Sequence, residues 1–477
     1  MRLEEAGPGL DGSHEERRKP ESVESPIPPD EARNEFTALI LAYDFPPFVS
    51  VGGLRPYSWF RHFKEFGAEP FVVTRQWENR YGDERDYVAA SASRREEIET
   101  SSDGTIVRAP HAPHLGNRLY LRYGPNRFRL LRRAITTLFE VCQFYAPVGP
   151  RAALYRAARR VAATRKVDVI LATGEPFVLF RYATLLSREF GIPWVADFRD
   201  PWSQYKLRAM NPLLKVAIER LERRTTASAA AITTVSESVA QALSKVHTRA
   251  RIEVVRNGFD AQAAGAAQQV PQGVEQFTIA FAGTMYPYHP IESVLQVLDQ
   301  IARSRLRIGL KFIGINHKEA FEALLRERYP AIAETTTVLD RLPNEQALTE
   351  LAAANALLLF NEYAHLGTKI FNYLAVKRRI LLCYSDDPEA RRLKQDHYSF
   401  EHGGGTDDRS LEQLVRDTES GVVLRDSVHL RQVVQELLRE FDIHRKISCD
   451  SVGVDRYSRQ AQAAHMVRVL GSLRGRR

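Results

Sequence analysis

The feature that most restricts what this chain can fold into is a repeated alternation of short apolar runs, glycine turns and helically spaced stretches. The first unit starts at 36–42, a run of strand formers that gives way to 43–47 and then to Gly52 and Gly53. Tyr57, Phe60, Phe63 and Phe66 follow at helical spacing, Gly67 closes the helix, and 70–74 restarts a strand. Strand, glycine loop, helix and strand make a βαβ unit, which joins parallel strands. The unit recurs at 167–172, 177–190 and 191–197, and again at 229–235, 236–245 and 252–255. The stretch 261–276 is built of Ala, Gln, Gly and Pro and has little to bury. Beyond it the pattern begins afresh, with strands at 277–282, 310–314, 356–360 and 379–383 and helices at 291–302, 319–328 and 368–376. This alternation predicts α/β architecture, with a mostly parallel sheet covered by helices on both faces in each half.

The expected division is a disordered leader over 1–35, an N-terminal Rossmann-like domain over 36–260 and a linker over 261–276. A C-terminal Rossmann-like domain over 277–450 and an amphipathic helix with tail over 451–477 follow. Two doubly wound domains suit a chain of 477 residues, which is too long for one ordinary core. Ligands of open α/β sheets lie beyond the carboxyl ends of the strands, so two such domains facing across a cleft place a ligand between them.

Composition narrows the class. The leader is rich in Glu, Arg, Pro and Ser and lacks the apolar stretch of a secretory signal. No run approaches the roughly 18 apolar residues that span a bilayer. Cys142, Cys383 and Cys449 lie far apart and form no metal spacing, which fits buried thiols in a reducing cytoplasm. The net charge of +8 favours acidic partners. Much of it is local, because arginines crowd 117–166 with Glu140 as the single carboxylate. Leu119, Leu121, Phe128, Leu130, Leu131, Ile135, Leu138 and Phe139 stand among them, which reads either as a cationic contact with an anionic membrane or as domain helices with a solvated face. No recognition motif accompanies the charge, so nucleic acid is not an expected partner.

The loops at strand ends carry the candidate chemistry. Gly52 and Gly53 lack Cβ and let backbone amides approach a diphosphate at a helix start, with Arg55 one turn on. Gly283 and Thr284 end the first strand of the second half and do the same. Gly367, Thr368 and Lys369 offer amides, a hydroxyl and an ammonium to an anion at the positive end of a helix. Glu175 ends one strand of the first half, and Asp197, Arg199 and Asp200, followed by Trp202, end the next. Those three charged groups read either as acceptor contacts or as an ion-paired knot. Ser236 is a plain helix cap. His289 lies beside Gly283–Thr284 in sequence. The histidines are scattered and no Asp-x-Asp pair is present, so no metal site is expected.

Five segments in order (43–55, 193–202, 233–238 leading to 255–260, 281–286 and 367–375) resemble the bacterial family 4, or group 1, glycosyltransferases of the two-domain B-type fold. The resemblance covers 36 to about 470. It implies transfer of a sugar from a nucleoside-diphosphate sugar to a cell-surface glycan or lipid-linked acceptor. Retention of anomeric configuration, no metal and no cofactor beyond the sugar nucleotide are implied with it. So is a place in the cytoplasm, at the inner membrane face. Gly52, Gly53, Gly283, Thr284, Thr368 and Lys369 then face the donor, and Asp197, Arg199, Asp200 and Glu175 the acceptor. Asn257 borders the cleft in that pattern. The sequence departs from the family where a carboxylate usually binds the ribose. Asn372 stands there, Ala364 replaces a second Glu eight positions earlier, and Glu362 is the nearest acid. The Arg and Lys that often follow the Gly283 position are missing, which leaves His289 as a substitute. Two other readings stay open: a non-catalytic homologue that binds a glycan or partner, and a nucleotide-sugar epimerase of similar architecture. No catalytic residue follows from spacing.

Overall fold

The computed structural model describes residues 35–78, 84–204, 211–304, 307–361, 366–397 and 409–474. The expected leader, apart from Glu35, lies outside the described residues.

The chain opens with β1 (Phe36–Leu41), α1 (Val51–His62), β2 (Ala68–Arg75), α2 (Glu84–Val88), β3 (Glu97–Thr100) and β4 (Thr105–Ala109). It continues through α3 (Leu115–Tyr123), α4 (Arg129–Cys142), α5 (Ala152–Thr164), β5 (Val169–Gly174), α6 (Val178–Phe190) and β6 (Trp194–Phe198). Next come α7 (Pro212–Thr226), β7 (Ala231–Thr234), α8 (Glu237–Val246), β8 (Ile252–Val254) and α9 (Ala261–Gln268). Among the described residues these strands form one sheet ordered β3-β4-β2-β1-β5-β6-β7-β8, parallel except for the β3–β4 edge.

The second half begins with β9 (Phe277–Ala282), α10 (Ile291–Arg303), β10 (Ile308–Ile313), α11 (Lys318–Arg328), α12 (Pro330–Ala333) and β11 (Thr336–Leu339). Then come α13 (Asn344–Ala353), β12 (Ala356–Phe360), α14 (Lys369–Val376), β13 (Arg379–Cys383), α15 (Pro388–His397) and α16 (Ser410–Asp417). β14 (Gly421–Val423), α17 (Ser427–His444) and α18 (Arg459–Gly471) finish the chain. The second sheet is ordered β11-β10-β9-β12-β13-β14. Strand order reverses beside β1 in one sheet and β9 in the other, and a crevice opens at the ends of both strands, as doubly wound sheets require.

Buried runs explain the strands. β5, β6 and β12 have every residue buried, which a central parallel strand covered on both faces demands. Two segments differ from expectation. Half of 261–276 is a helix: Asp260 caps α9, and Ala264 and Ala267 are buried against the second half. Small alanines allow that close approach, so the stretch that has little to bury packs by being small. The amphipathic C-terminal helix is present as α18, but it packs on the first half. Ala463, Met466, Val467 and Leu470 join Trp59, Phe60 and Phe63 in the core beneath β1 and β2. Among the described residues, no helix is long and apolar enough to cross a membrane.

Candidate active site between the two sheets

In the second half, sequence-distant turns meet as their chemistry suggests. Gly283 follows β9 with φ +94°, a left-handed conformation that favours glycine. A Cβ built on it would lie 3.2 Å from Lys369 Cε. The Lys369 ammonium donates to the Thr284 carbonyl at 3.2 Å and stands 4.5 Å from the Phe281 ring centre. It projects from the first turn of α14, where the helix dipole already presents positive charge. The Ala282 amide donates to the hydroxyl of buried Tyr373 at 2.9 Å, so α14 holds the end of β9 directly. Tyr373 was not among the sequence candidates, because its spacing reads only as core.

His289 does not replace the missing cations. It is 3% exposed, stacked on Phe360 with centres 4.7 Å apart, and accepts from the Tyr286 amide at 3.3 Å. Burial, and then the Lys369 charge, hold its pKa well below the ordinary value. The ring is a neutral wall of the turn. Asn372 is partly exposed on α14 and donates to the Asn344 side chain at 3.3 Å. Glu362 and Ala364 lie outside the described residues.

In the first half, Ser50 caps α1 and takes the Gly53 amide at 3.0 Å. Arg199 covers Gly52 so closely that a Cβ there would fall 1.8 Å from Nη1. Arg199 also pairs with Asp200 at 2.9 Å. Of the two possibilities for the 197–200 segment, Asp197 is the knot. It is fully buried and accepts from Arg55 Nη2 and from the Thr173 and Thr233 hydroxyls, each at 2.8 Å. The Arg55 Nη1 donates to the Arg256 carbonyl at 3.0 Å. Asp197 thereby ties α1 to β5, β6 and β7. Its oxygens are taken, which corrects its assignment as an acceptor contact. Trp202 stacks on Phe177 with centres 4.6 Å apart, a packing role.

Arg199, Asp200, Glu175 and Asp44 form a charged group at the ends of β1, β5 and β6. Asp44 accepts from the Ser50 hydroxyl at 2.9 Å, and burial raises its pKa. Glu175 presents open surface yet is crowded enough by protein that loss of water, and then the Asp200 charge, raise its carboxyl. Deeper still, Arg151 lies 5.5 Å from the Tyr43 ring centre and pairs with Glu140 at 2.7 Å. These neighbours escaped sequence reasoning, since nothing local brings α5 to the end of β1.

One crevice joins the halves. Val51, Leu54 and Arg55 of α1 face Thr368 and Asn372 of α14 across it, with Asn257 and Gly258 at its base. Thr368 and Asn372 line it directly, Lys369 and the Gly283–Thr284 turn adjoin Thr368, and Gly52 and Gly53, expected as a loop, lie in the first turn of α1 between the lining residues Val51 and Leu54. Among the described residues no group of three or more His, Cys, Asp or Glu side chains is placed to hold a metal.

The fold is that of the two-domain, B-type glycosyltransferases. Sucrose-phosphate synthase from Thermosynechococcus elongatus superposes with a TM-score of 0.58 at 14% identity, over 92% of this chain and 99% of that one. A UDP-forming trehalose-phosphate synthase from Burkholderia xenovorans, in complex with glucose-6-phosphate, gives 0.56 at 11% identity, over 91% and 100%. HepE from Anabaena, in complex with UDP, gives 0.52 at 12% identity, over 92% and 100%. Within this fold, residues 136–263 match the family model described as Glycosyltransferase Family 4, so the resemblance read from the motifs is upheld there. No curated protein sequence matches.

Proposed function

We propose that this protein transfers a sugar from a nucleoside-diphosphate sugar to a cell-surface glycan or lipid-linked acceptor. The observation that carries the reading is the Lys369 ammonium at the Gly283–Thr284 turn, on the positive end of α14, the helix whose cap Thr368 and whose Asn372 line the interdomain crevice. A diphosphate leaving group gains negative charge as the glycosidic bond breaks. Preorganised amides and an ammonium stabilise that charge without a side-chain acid. Arg199, against Gly52 and paired with Asp200, stands with the acceptor group of the first half. The reaction retains anomeric configuration and uses neither metal nor cofactor beyond the donor. Asp200 and Glu175, at the strand ends of the first half, orient acceptor hydroxyls. The protein works in the cytoplasm and makes peripheral contact with an anionic membrane through 117–166.

UDP is the first nucleotide to test, since HepE of the same fold was solved in complex with UDP and the trehalose-phosphate synthase is UDP-forming. Calorimetry with UDP and UDP-glucose is expected to show binding, and Lys369→Ala to weaken it about tenfold or more, the order of one charge-assisted hydrogen bond. Unchanged affinity in the variant removes Lys369 from the site. A homologue that binds without turnover is favoured by one observation, the amide pair Asn344–Asn372 where the family has a carboxylate. Release of free nucleoside diphosphate from any donor in a broad panel excludes it.

A further inference from the structure

The basic stretch splits in two. On α5, Ala152, Ala153, Leu154, Ala157, Ala158, Val161 and Ala162 are buried, and its arginines pair with the domain: Arg159 with Glu189 and Arg160 with Glu96. It is an ordinary domain helix. α4 is the opposite: none of its residues is buried, although its sequence is strongly two-faced. Leu130 is 83% exposed and Leu138 61%, and Leu131 and Val141 are at least half exposed. Ala134 and Leu138 continue the Leu130 stripe at helical spacing. Phe139 faces inward instead, stacked on His114 with centres 5.0 Å apart.

The cations of α4 occupy another side. Arg129, Arg132 and Arg133 line a groove of about 520 Å³ between α2, α3 and α4, together with Thr136 and Thr137. Glu84 of α2 is the carboxylate that faces them, and Tyr120 donates to it at 3.4 Å. Among the described residues Arg129 and Arg133 meet no carboxylate at ion-pair distance and make no side-chain hydrogen bond, while Arg132 donates through Nη2 to the Pro125 carbonyl and lies 5.1 Å from the Tyr120 ring centre, its Nε without a partner. Tyr87 also lines the groove and packs 5.6 Å from Tyr43, the residue before Asp44, so the groove reaches the charged group at the end of β1.

A helix with a solvent-facing apolar stripe and a cationic row without ion-pair partners is built for an interface between water and lipid. We propose that α4 lies on an anionic bilayer, with Leu130, Leu131, Leu138 and Val141 entering the acyl boundary and Arg129, Arg132 and Arg133 taking lipid phosphates in the groove. Charge complementarity selects this occupant: the row is cationic, and the cytoplasmic leaflet is anionic. This deepens the membrane contact proposed above by naming its helix, its ligand chemistry and its approach to the acceptor residues.

The test is flotation of the full chain with vesicles of phosphatidylcholine alone and of equal parts phosphatidylcholine and phosphatidylglycerol. The parent protein is expected on the anionic vesicles only. Arg129→Glu with Arg133→Glu should lower partitioning about tenfold or more, from the attraction each basic residue contributes near such a surface. Leu130→Gln with Leu138→Gln should lower it as well. All these side chains are exposed, so melting temperature and UDP binding should hold in both variants. A parent that ignores anionic vesicles, or variants that partition like the parent, overturns the proposal. So does a Leu pair whose change dissociates a dimer in light scattering without altering flotation, which makes a second copy the occupant. Loss of UDP binding with flotation intact would instead count against the glycosyltransferase reading alone.

Discussion

At the residue scale the site rests on contacts that sequence spacing cannot supply. Gly52, expected in a loop, sits in the first turn of α1, and a different feature constrains it. Its φ lies outside the left-handed region, and what a Cβ there would displace is the Arg199 guanidinium, the mobile end of a flexible side chain. Alanine suits a helical position better than glycine by up to about 1 kcal/mol. Gly52→Ala should therefore leave thermal stability unchanged or raised, while displacing Arg199 and lowering turnover. A fall in melting temperature with full turnover would contradict that account. Two buried imidazoles make the protein acid-sensitive. Burial, and then the charges of Arg75, Arg151 and His114, push His111 down to about 3, and His289 is lowered for the like reason of burial first and Lys369 second. The unfolded chain binds those protons near the ordinary histidine value and the folded protein does not, so stability is retained above about 6.5 and lost as pH falls. Each contributes a slope of up to about 1.4 kcal/mol per pH unit. Denaturation midpoints of His289→Gln, followed from pH 7 to 4, should show a shallower decline than the parent's.

At the element scale, strands that a parallel sheet buries on both faces were legible, because they must be continuous apolar runs: 356–360 and 379–383 coincide with β12 and β13. β3 was not, since all four of its residues are exposed and it carries no alternation. α9 was missed because its alanines, although good helix formers, carry no large apolar side chains whose spacing marks a buried face. The turns at Gly283 and Lys369 were marked out in the sequence by a glycine and a helix start. Their meeting was not, because the Tyr373–Ala282 hydrogen bond spans 91 residues. That bond makes a prediction about elements. Tyr373→Phe keeps the ring but strands a backbone amide at the end of β9, a loss of about 1–3 kcal/mol. It should also loosen the register between β9 and α14, so UDP affinity should fall although no contacting group has changed. A variant with parental affinity would show that α14 is positioned by packing alone.

At the scale of the whole molecule the two sheets are not independent beads on a linker. The chain leaves the first half, builds the second, and returns to finish the first half's core with α18. Asp260 and Phe259 meet that return: the Phe259 amide donates to the Tyr457 carbonyl at 3.1 Å, and Arg459 donates back to the Phe259 carbonyl at 2.8 Å. Gly258 lies so close to this crossing that a Cβ would fall 2.7 Å from the Tyr457 carbonyl. Removing α18 would uncover Trp59, Phe60, Phe63 and the near face of β1 and β2, all now close to fully buried. Truncation after 457 is thus expected to destabilise the first half while leaving the second folded. Hydrogen exchange would read this as lost protection in α1, β1 and β2 beside retained protection in β9, β10 and β12. Adding a synthetic peptide of 458–474 should restore it, as a core element supplied in trans would. Equal loss in both halves would mean instead that the sheets fold as one cooperative body. The backbone crossing of 258–259 with 457–459 would then couple the folding of the two halves.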